Sequence, residues 1–110
     1  MYPRCLALVL LVIAPALAQA NGVYWTDRGA NIVSRAAMDP PPGTYRHART
    51  DQQVLMSGLK APIGITLAGD RMYVTDLGGT VYSARLDGSD KRAVLTGQGS
   101  LTGITFVPGR

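Results

Sequence analysis

Few side chains in this sequence could carry out acid–base or nucleophilic chemistry. The 110 residues include one histidine, His47, and one cysteine, Cys5, and all seven acidic residues are aspartates. A nucleophilic triad needs a base held in fixed relation to a serine or cysteine and a carboxylate. No serine and aspartate stand in such an arrangement with His47. We therefore predict that the chain is not an enzyme, with no catalytic residue and no cofactor.

Several aspartates lie beside glycine-containing turns, where carboxylates can bind cations. Asp27 and Asp76 each end a Thr-Asp pair, and Asp87 and Asp90 flank a Gly-Ser turn. Calcium takes about 6 to 8 oxygen ligands, so one carboxylate per loop is too few. The stretch from Asp87 to Asp90 is better explained as a hairpin turn. The sequence therefore predicts no metal site.

The Thr-Asp pairs belong to a longer internal repeat. Residues 22–39, GVYWTDRGANIVSRAAMD, return in weaker form as residues 71–88, RMYVTDLGGTVYSARLDG, an offset of 49 for the YWTD and YVTD stretches. Residues 62–71, PIGITLAGDR, recur 39 residues later as LTGITFVPGR at 101–110. A period of about 40 to 50 residues is typical of propeller blades.

The repeated segments have the pattern of β-strands. Val23 and Trp25 alternate with Tyr24 and Thr26, and similar alternation follows around Val74 and Ile104. Turn-forming residues separate these runs, including Pro and Gly at 40–43 and Gly78-Gly79. The sequence therefore predicts strands and turns throughout.

The first 20 residues predict a secretory signal peptide. Arg4 precedes an uncharged stretch of Leu, Val, Ile and Ala, and Ala18-Gln19-Ala20 is a small-residue cleavage pattern. Residues 5–20 are too few to cross a bilayer comfortably, and Pro15 interrupts them. We expect a signal-peptide helix, cleavage after Ala20, a secreted or periplasmic location, and no membrane span in the mature chain.

The mature chain, residues 21–110, has a modest positive charge. Removal of Arg4 leaves ten of the eleven basic residues against seven acidic ones, a net of +3. These charges are spread along the chain, whereas a nucleic-acid-binding protein concentrates them in a patch. Cys5 leaves with the leader, so the mature chain forms no disulfide. We predict no nucleic-acid partner.

The succession of sub-motifs resembles a known family. YWTD at 24–27 is followed by a Gly-containing turn, a strand ending in LDG, a short VL strand and then P-x-G-I at 62–65. This order is similar to the class B repeat of low-density lipoprotein receptors, the YWTD β-propeller repeat, which also occurs in bacterial exported proteins. The resemblance covers residues 22–110. Two departures are Val74, where the motif has Trp, and Met38-Asp39-Pro40 in place of Leu-Asp-Gly.

The resemblance implies an all-β fold, a partial β-propeller of about two four-stranded antiparallel blades. It places blade one at 22–57, blade two at 63–96, and a lone first strand at 102–107. Blade one would have strands at 22–27, 31–38 and 53–57. The alternating aromatics Tyr24, Trp25 and Tyr73 could form a sugar- or peptide-binding platform, but blade-to-blade packing on a pleated surface fits them better. The resemblance implies structural roles, in hydrogen bonds to the backbone and to neighbouring blades, for Thr26, Asp27, Thr75 and Asp76.

Two blades are fewer than a closed ring needs, since propellers use about 4 to 8 and isolated repeats leave apolar faces open. Three interpretations stay open. The chain is a fragment of a longer propeller protein, a protomer of which three copies complete a six-bladed ring, or a small open sheet. A homo-oligomer is therefore one expected partner.

One segment exceeds the needs of the repeat. The insertion loop, residues 39–53 (DPPPGTYRHARTDQQ), contains three prolines and the basic residues Arg46, His47 and Arg49. An enlarged loop with these cations could recognise an acidic ligand, although a solvated insertion with no function fits the same sequence. We expect an exported non-catalytic module that binds a protein or small-molecule ligand. The alternative is the remnant of a propeller hydrolase or lyase, similar to gluconolactonases or streptogramin lyases, that lacks its catalytic residues.

Overall fold

The computed structural model describes residues 22–109, and these residues are folded almost entirely as strands and turns. The seven strands are β1 Gly22–Asp27, β2 Ile32–Ala37, β3 Gln53–Met56, β4 Pro62–Ala68, β5 Arg71–Asp76, β6 Val81–Arg85 and β7 Arg92–Leu95. Within these residues the helical content is one 3-10 turn, Arg46–Ala48. The predicted all-β class is confirmed. The signal-peptide prediction, residues 1–20, lies outside the described residues.

The strands form two antiparallel sheets in which consecutive strands are neighbours. The N-terminal sheet has the order β1-β2-β3, and the C-terminal sheet has the order β4-β5-β6-β7. Neither sheet contains a crossover, so every connection within a sheet joins neighbouring antiparallel strands. Most of these connections are short, but β2 and β3 are joined by the long connection 38–52. Within residues 22–109, none of the helical structure is long and apolar enough to cross a membrane.

The repeated sequences fold in the same way. β1 and β2 occupy the places in the N-terminal sheet that β5 and β6 occupy in the C-terminal sheet. The ladder shifts register between Val33 and Ser34 in the first sheet and between Val81 and Tyr82 in the second. Val33 and Val81 are corresponding residues of the repeat. The register shift therefore occurs at the same position in both copies of the repeat.

A shared apolar core joins the two sheets. Val33 and Met56 come from the N-terminal sheet, and Met72, Val74 and Ala84 come from the C-terminal sheet. Val33, Met72 and Val74 are fully buried. Alternate residues of a strand point to opposite faces, so Met72 and Val74 mark the face of β5 turned toward the N-terminal sheet. Burial of these side chains between the sheets is the main force that holds the sheets together.

The predicted strands of blade one agree with β1, β2 and β3 to within one residue at each end, and the predicted blade two includes β4 to β7 except for Pro62, where β4 begins. The lone strand predicted at 102–107 is wrong as a strand, since residues 101–109 have no regular secondary structure. A strand needs a partner to form a hydrogen-bonded ladder, and no segment within 22–109 pairs with these residues.

Candidate functional site

The two motif threonines make the same contact in successive repeats. Thr26 Oγ1 donates to the carbonyl oxygen of Ile63 at 3.0 Å, and Thr75 Oγ1 donates to that of Thr102 at 3.2 Å. Ile63 and Thr102 are corresponding residues, 39 positions apart. Each threonine therefore ties its own sheet to the start of the next segment of the repeat. Thr75 Oγ1 also accepts a hydrogen bond from Gly64 N at 3.2 Å.

The two motif aspartates share a motif position but differ in burial. Asp76 is fully buried, and its carboxyl oxygens accept the backbone N–H groups of Lys60 and Thr80, each at 3.1 Å. Asp27 is only half-buried, and its Oδ1 accepts the N–H groups of Gly29 and Ala30 at 3.0 Å. Both carboxylates therefore act as turn-fixing acceptors, and Asp76 also holds the segment before β4.

The hairpin turns also anchor the segments that follow each sheet. Leu59 N donates to the carbonyl oxygen of Asn31 at 3.3 Å, and Gln98 N donates to that of Gly79 at 2.9 Å. Asn31 has a positive φ of 61°, a conformation that asparagine tolerates well, and its Oδ1 accepts the N–H of Ala61 at 2.8 Å. Sequence reasoning missed Asn31, although Asn after a Gly-Ala turn was a usable signal.

The three motif aromatics are half-buried on the strands where they were expected. The Tyr24 hydroxyl accepts a long hydrogen bond, 3.5 Å, from Arg35 Nη1. Tyr73 lies on the opposite face of β5 from Val74 and lines a groove of about 200 Å³ with Thr66 and residues 104–107. Trp25 lies on β1, in register with Ser34.

The insertion loop is fixed by an ion pair of its own. Arg49 Nη2 and Nε donate to the two carboxylate oxygens of Asp51 at 2.6 and 2.9 Å. Arg49 Nη2 also donates to the carbonyl oxygen of Ala37 at 2.8 Å, and Asp51 Oδ2 accepts the N–H of Ala37 at 3.1 Å. The pair therefore fastens the loop to the end of β2. Arg49, predicted as a ligand contact, is engaged inside the loop.

The same pair sets the ionisation of both groups. The hydrogen bond from the Arg49 side chain is the largest influence on the pKa of Asp51, which falls from 3.8 to about 2. In turn, the hydrogen bond to Asp51 raises the pKa of Arg49. Both groups are therefore charged over the whole physiological range. Sequence reasoning missed Asp51, although its place two residues after Arg49 was a usable signal.

The side chains of Tyr45 and His47 lie outside this ion pair. His47 is exposed, and its ring stacks on the exposed ring of Tyr45, with the ring centres 5.9 Å apart and the planes 18° apart. Arg46 lies in the same 3-10 turn as His47. The structure therefore separates Arg49, which orders the loop, from an aromatic pair that faces solvent.

A pocket of about 170 Å³ adjoins the loop. Its lining residues are Arg35, Ala36, Ala37, Asp51 and Gln53. Arg35 Nε donates to Gln53 Oε1 at 2.8 Å, and Arg35 Nη1 donates to the carbonyl oxygen of Leu86 at 2.7 Å. A guanidinium thus fixes one wall of the pocket and also links the two sheets. The sequence signal for Arg35 was a basic residue in the middle of an otherwise uncharged strand.

The aspartates of the β6–β7 turn are structural. Asp87 Oδ1 accepts hydrogen bonds from the hydroxyl and N–H of Ser89, and these bonds lower the pKa of Asp87. Asp90 pairs with Arg92 and Arg71 at 2.8 and 3.0 Å, and these two partners lower its pKa. Among residues 22–109 no cluster of three metal-ligating side chains occurs.

Comparison with known proteins gives one partial similarity. No protein-family profile matches the chain. An alignment of 96 residues is 30% identical to the 3-hydroxyacyl-CoA dehydrogenase-like protein LAM1 of Cochliobolus heterostrophus, and it covers 77% of this chain and 20% of that protein. The chain thus spans about a fifth of the length of the curated relative that it matches. A similarity of this extent does not assign the chain to a family.

Proposed function

We propose that this chain is an exported, non-catalytic binding module built on propeller-type blades, with the insertion loop as its ligand-contact surface. The observation on which the proposal rests is that the insertion loop is longer than its counterpart and is held in place by an ion pair of its own. The β2–β3 connection runs from 38 to 52, whereas the corresponding β6–β7 connection runs from 86 to 91. Arg49 and Asp51 hold this longer connection against β2. A loop ordered in this way can bind a partner at a lower entropic cost than a mobile one.

The motif residues support a structural rather than a chemical role. The hydroxyl of Thr75 and both carboxyl oxygens of Asp76 are engaged with the backbone. A catalytic base needs a free acceptor within reach of a substrate proton. The polar atoms of the second Thr-Asp pair are instead occupied in holding the fold together.

The loop presents chemistry suited to an acidic ligand. The stacked rings of Tyr45 and His47 offer a rigid exposed surface, which costs little side-chain entropy on binding. Arg46 belongs to the same 3-10 turn as His47, and the pocket lined by Arg35 and Gln53 adjoins the loop. An acidic segment of a protein or a small anionic ligand fits this combination, and export follows from the leader pattern of residues 1–20.

A tetraglutamate peptide provides a direct test. Titration of the full chain, followed by two-dimensional amide NMR, should shift resonances of residues 45–47, and Arg46→Ala and His47→Ala should each weaken binding about tenfold. Arg28→Ala removes an exposed cation at a distant turn and should leave binding unchanged. Equal effects of Arg28→Ala and Arg46→Ala would contradict the loop assignment.

Activity assays test the non-catalytic part of the proposal. The full chain should hydrolyse no lactone in the presence of divalent metal. It should also oxidise no 3-hydroxyacyl-CoA in the presence of NAD, the reaction suggested by the name of the LAM1 relative. Turnover in either assay that Asp76→Asn abolishes would contradict the proposal and favour a propeller hydrolase or a dehydrogenase.

A further inference from the structure

The free edge of β1 and the segment 101–107 correspond, in the repeat, to two strands that pair with each other, β5 and β4. β5 pairs with β4 on one side and β6 on the other, whereas the corresponding strand β1 pairs with β2 alone within residues 22–109. The sequence of β4 recurs at 101–107, and that segment has no ladder partner in the described part of the chain. The free edge of β1 and the 101–107 segment are therefore complementary.

The β4–β5 ladder supplies the register for such a pairing. In that ladder Gly64 lies opposite Thr75, Ile65 opposite Val74, and Leu67 opposite Met72. Moving these pairs by the repeat offsets places Gly103 opposite Thr26, Ile104 opposite Trp25, and Phe106 opposite Val23. Gly103 N would then donate to Thr26 Oγ1, as Gly64 N does to Thr75 Oγ1.

The outer faces of the two sheets are complementary in the same sense. At the interface inside the chain, the face of the N-terminal sheet that carries Val33 packs on the face of the C-terminal sheet that carries Val74. The outer face of the N-terminal sheet carries Val23 and Trp25, which correspond in the repeat to residues on the inner face of the C-terminal sheet. The outer face of the C-terminal sheet carries Thr75 and Val81, which correspond to residues on the inner face of the N-terminal sheet. The outer face of a C-terminal sheet can therefore pack on the outer face of an N-terminal sheet in the same way as the two inner faces pack inside the chain.

The partner of residues 101–107 is not β1 of the same copy. Thr102 is held by Thr75, on the face of β5 that points away from the N-terminal sheet. β1 of the same chain lies on the other side of the C-terminal sheet, where it contacts β4. We propose that residues 101–107 of one copy pair with β1 of a second copy, with the outer C-terminal face of the first packed on the outer N-terminal face of the second.

This contact joins two different surfaces, so copies associate head to tail, and such contacts form rings when the rotation closes. Each copy has two sheets, so two, three or four copies supply four, six or eight sheets, all within the range of about 4 to 8 that closed propellers use. A closed ring of two to four copies is therefore the expected assembly. Static light scattering of the full chain at about 100 µM should give two to four times the monomer mass, and a monomeric mass would overturn the proposal.

Gly103→Ala separates assembly from folding. A Cβ at Gly103 meets no atom within 4 Å in the single chain, whereas a Cβ at the corresponding Gly64 meets Thr75 Oγ1 at 2.7 Å. In the proposed pairing, the added methyl group would crowd Thr26 Oγ1 of the second copy in the same way. Gly103→Ala should keep the circular dichroism spectrum and weaken association at least tenfold. Unchanged association would overturn the proposed register.

A disulfide test identifies the contact directly. In a Cys5→Ser background, Val23→Cys combined with Phe106→Cys places two partly exposed residues opposite each other between copies. The control combines Val23→Cys with Val107→Cys, which is displaced by one residue and so points to the other face. Oxidation should link separate chains in the first variant about tenfold more than in the control. A disulfide within one chain, or equal linking in both variants, would overturn the proposal.

Discussion

At the scale of single residues, burial decides what a repeated side chain contributes. Asp27 and Asp76 occupy the same place in the motif, yet Asp76 is fully buried and connects two separate backbone segments. A buried N–H that loses its acceptor costs about 1 to 3 kcal/mol. The second copy of the aspartate should therefore matter much more for stability than the first.

Asp76→Ala tests this difference. The substitution strands the N–H groups of Lys60 and Thr80 and should lower the free energy of unfolding by about 3 kcal/mol. Asp27→Ala, the matched control, affects a solvent-accessible turn and should cost less than about 1 kcal/mol. Urea unfolding followed by the fluorescence of Trp25 measures both. Equal losses would show that the contacts of Asp76 contribute nothing beyond a turn.

The Asp51 carboxylate should titrate at unusually low pH. Its pKa of about 2 lies below the ordinary 3.8 because Arg49 donates to the charged form. A lowered pKa means that the ion pair is complete above pH 3.8 and is lost as the pH falls through about 2. Carbon-13 NMR of the Asp51 carboxyl should show this midpoint. Arg49→Gln should move it upward toward 3.8, and an unchanged midpoint in that variant would contradict the assigned cause.

At the scale of elements, a glycine allows the inner segments of successive repeats to approach closely. A Cβ at Gly64 on β4 would overlap the carbonyl oxygen of Thr102 and lie 2.7 Å from Thr75 Oγ1. Relief requires the 101–107 segment to move away from β5. Glycine is therefore needed in the G-I-T motif because the inner segment of the following repeat leaves no space for a side chain.

Gly64→Ala should destabilise the chain by about 1 to 3 kcal/mol, the usual cost of overpacking. It should also increase amide hydrogen exchange at Leu101, whose N–H donates to the carbonyl oxygen of Asp76 at 3.3 Å. Gly109→Ala is the control, because a Cβ there meets no atom within 4 Å and the residue lies outside the 101–107 segment. Slow exchange at Leu101 in Gly64→Ala would contradict the crowding.

The sequence predicted the strands but not every contact between them. The repeat and its turns placed β1 to β3 within one residue and gave β4 to β7 only as one blade at 63–96. The strands of blade one were predictable because period-two burial and turn chemistry are local properties. The contacts of Arg49 and Asp51 with Ala37 and the register shift after Val33 were not predicted, since both depend on the packing of the chain in three dimensions. For the same reason the repeat placed a strand at 102–107, where none of the residues 22–109 provides a ladder partner.

At the scale of the whole molecule, one core couples the two sheets. Met72 is fully buried between the sheets, whereas Leu67, its partner in the β4–β5 ladder, is 41% exposed. The sheets should therefore unfold together, since neither buries this face alone.

Met72→Ala should lower the free energy of unfolding by about 2 to 5 kcal/mol, the usual cost of a core truncation. Hydrogen exchange should rise in β1 and β2 as well as in β5. Leu67→Ala, a truncation at a partly exposed neighbour, should cost less than about 1.5 kcal/mol. Loss of protection confined to the C-terminal sheet would show that the two sheets fold independently.

The spacing of the threonine contacts has a consequence for redesign. Thr26 reaches a carbonyl 37 residues ahead and Thr75 one 27 residues ahead, yet the two bonds have nearly equal lengths. Most of this difference lies in the connection from 38 to 52, so the scaffold accommodates extra chain there without moving its anchor points. Foreign peptides grafted in place of that connection should be displayed on an unaltered frame, and natural selection could diversify recognition by the same route.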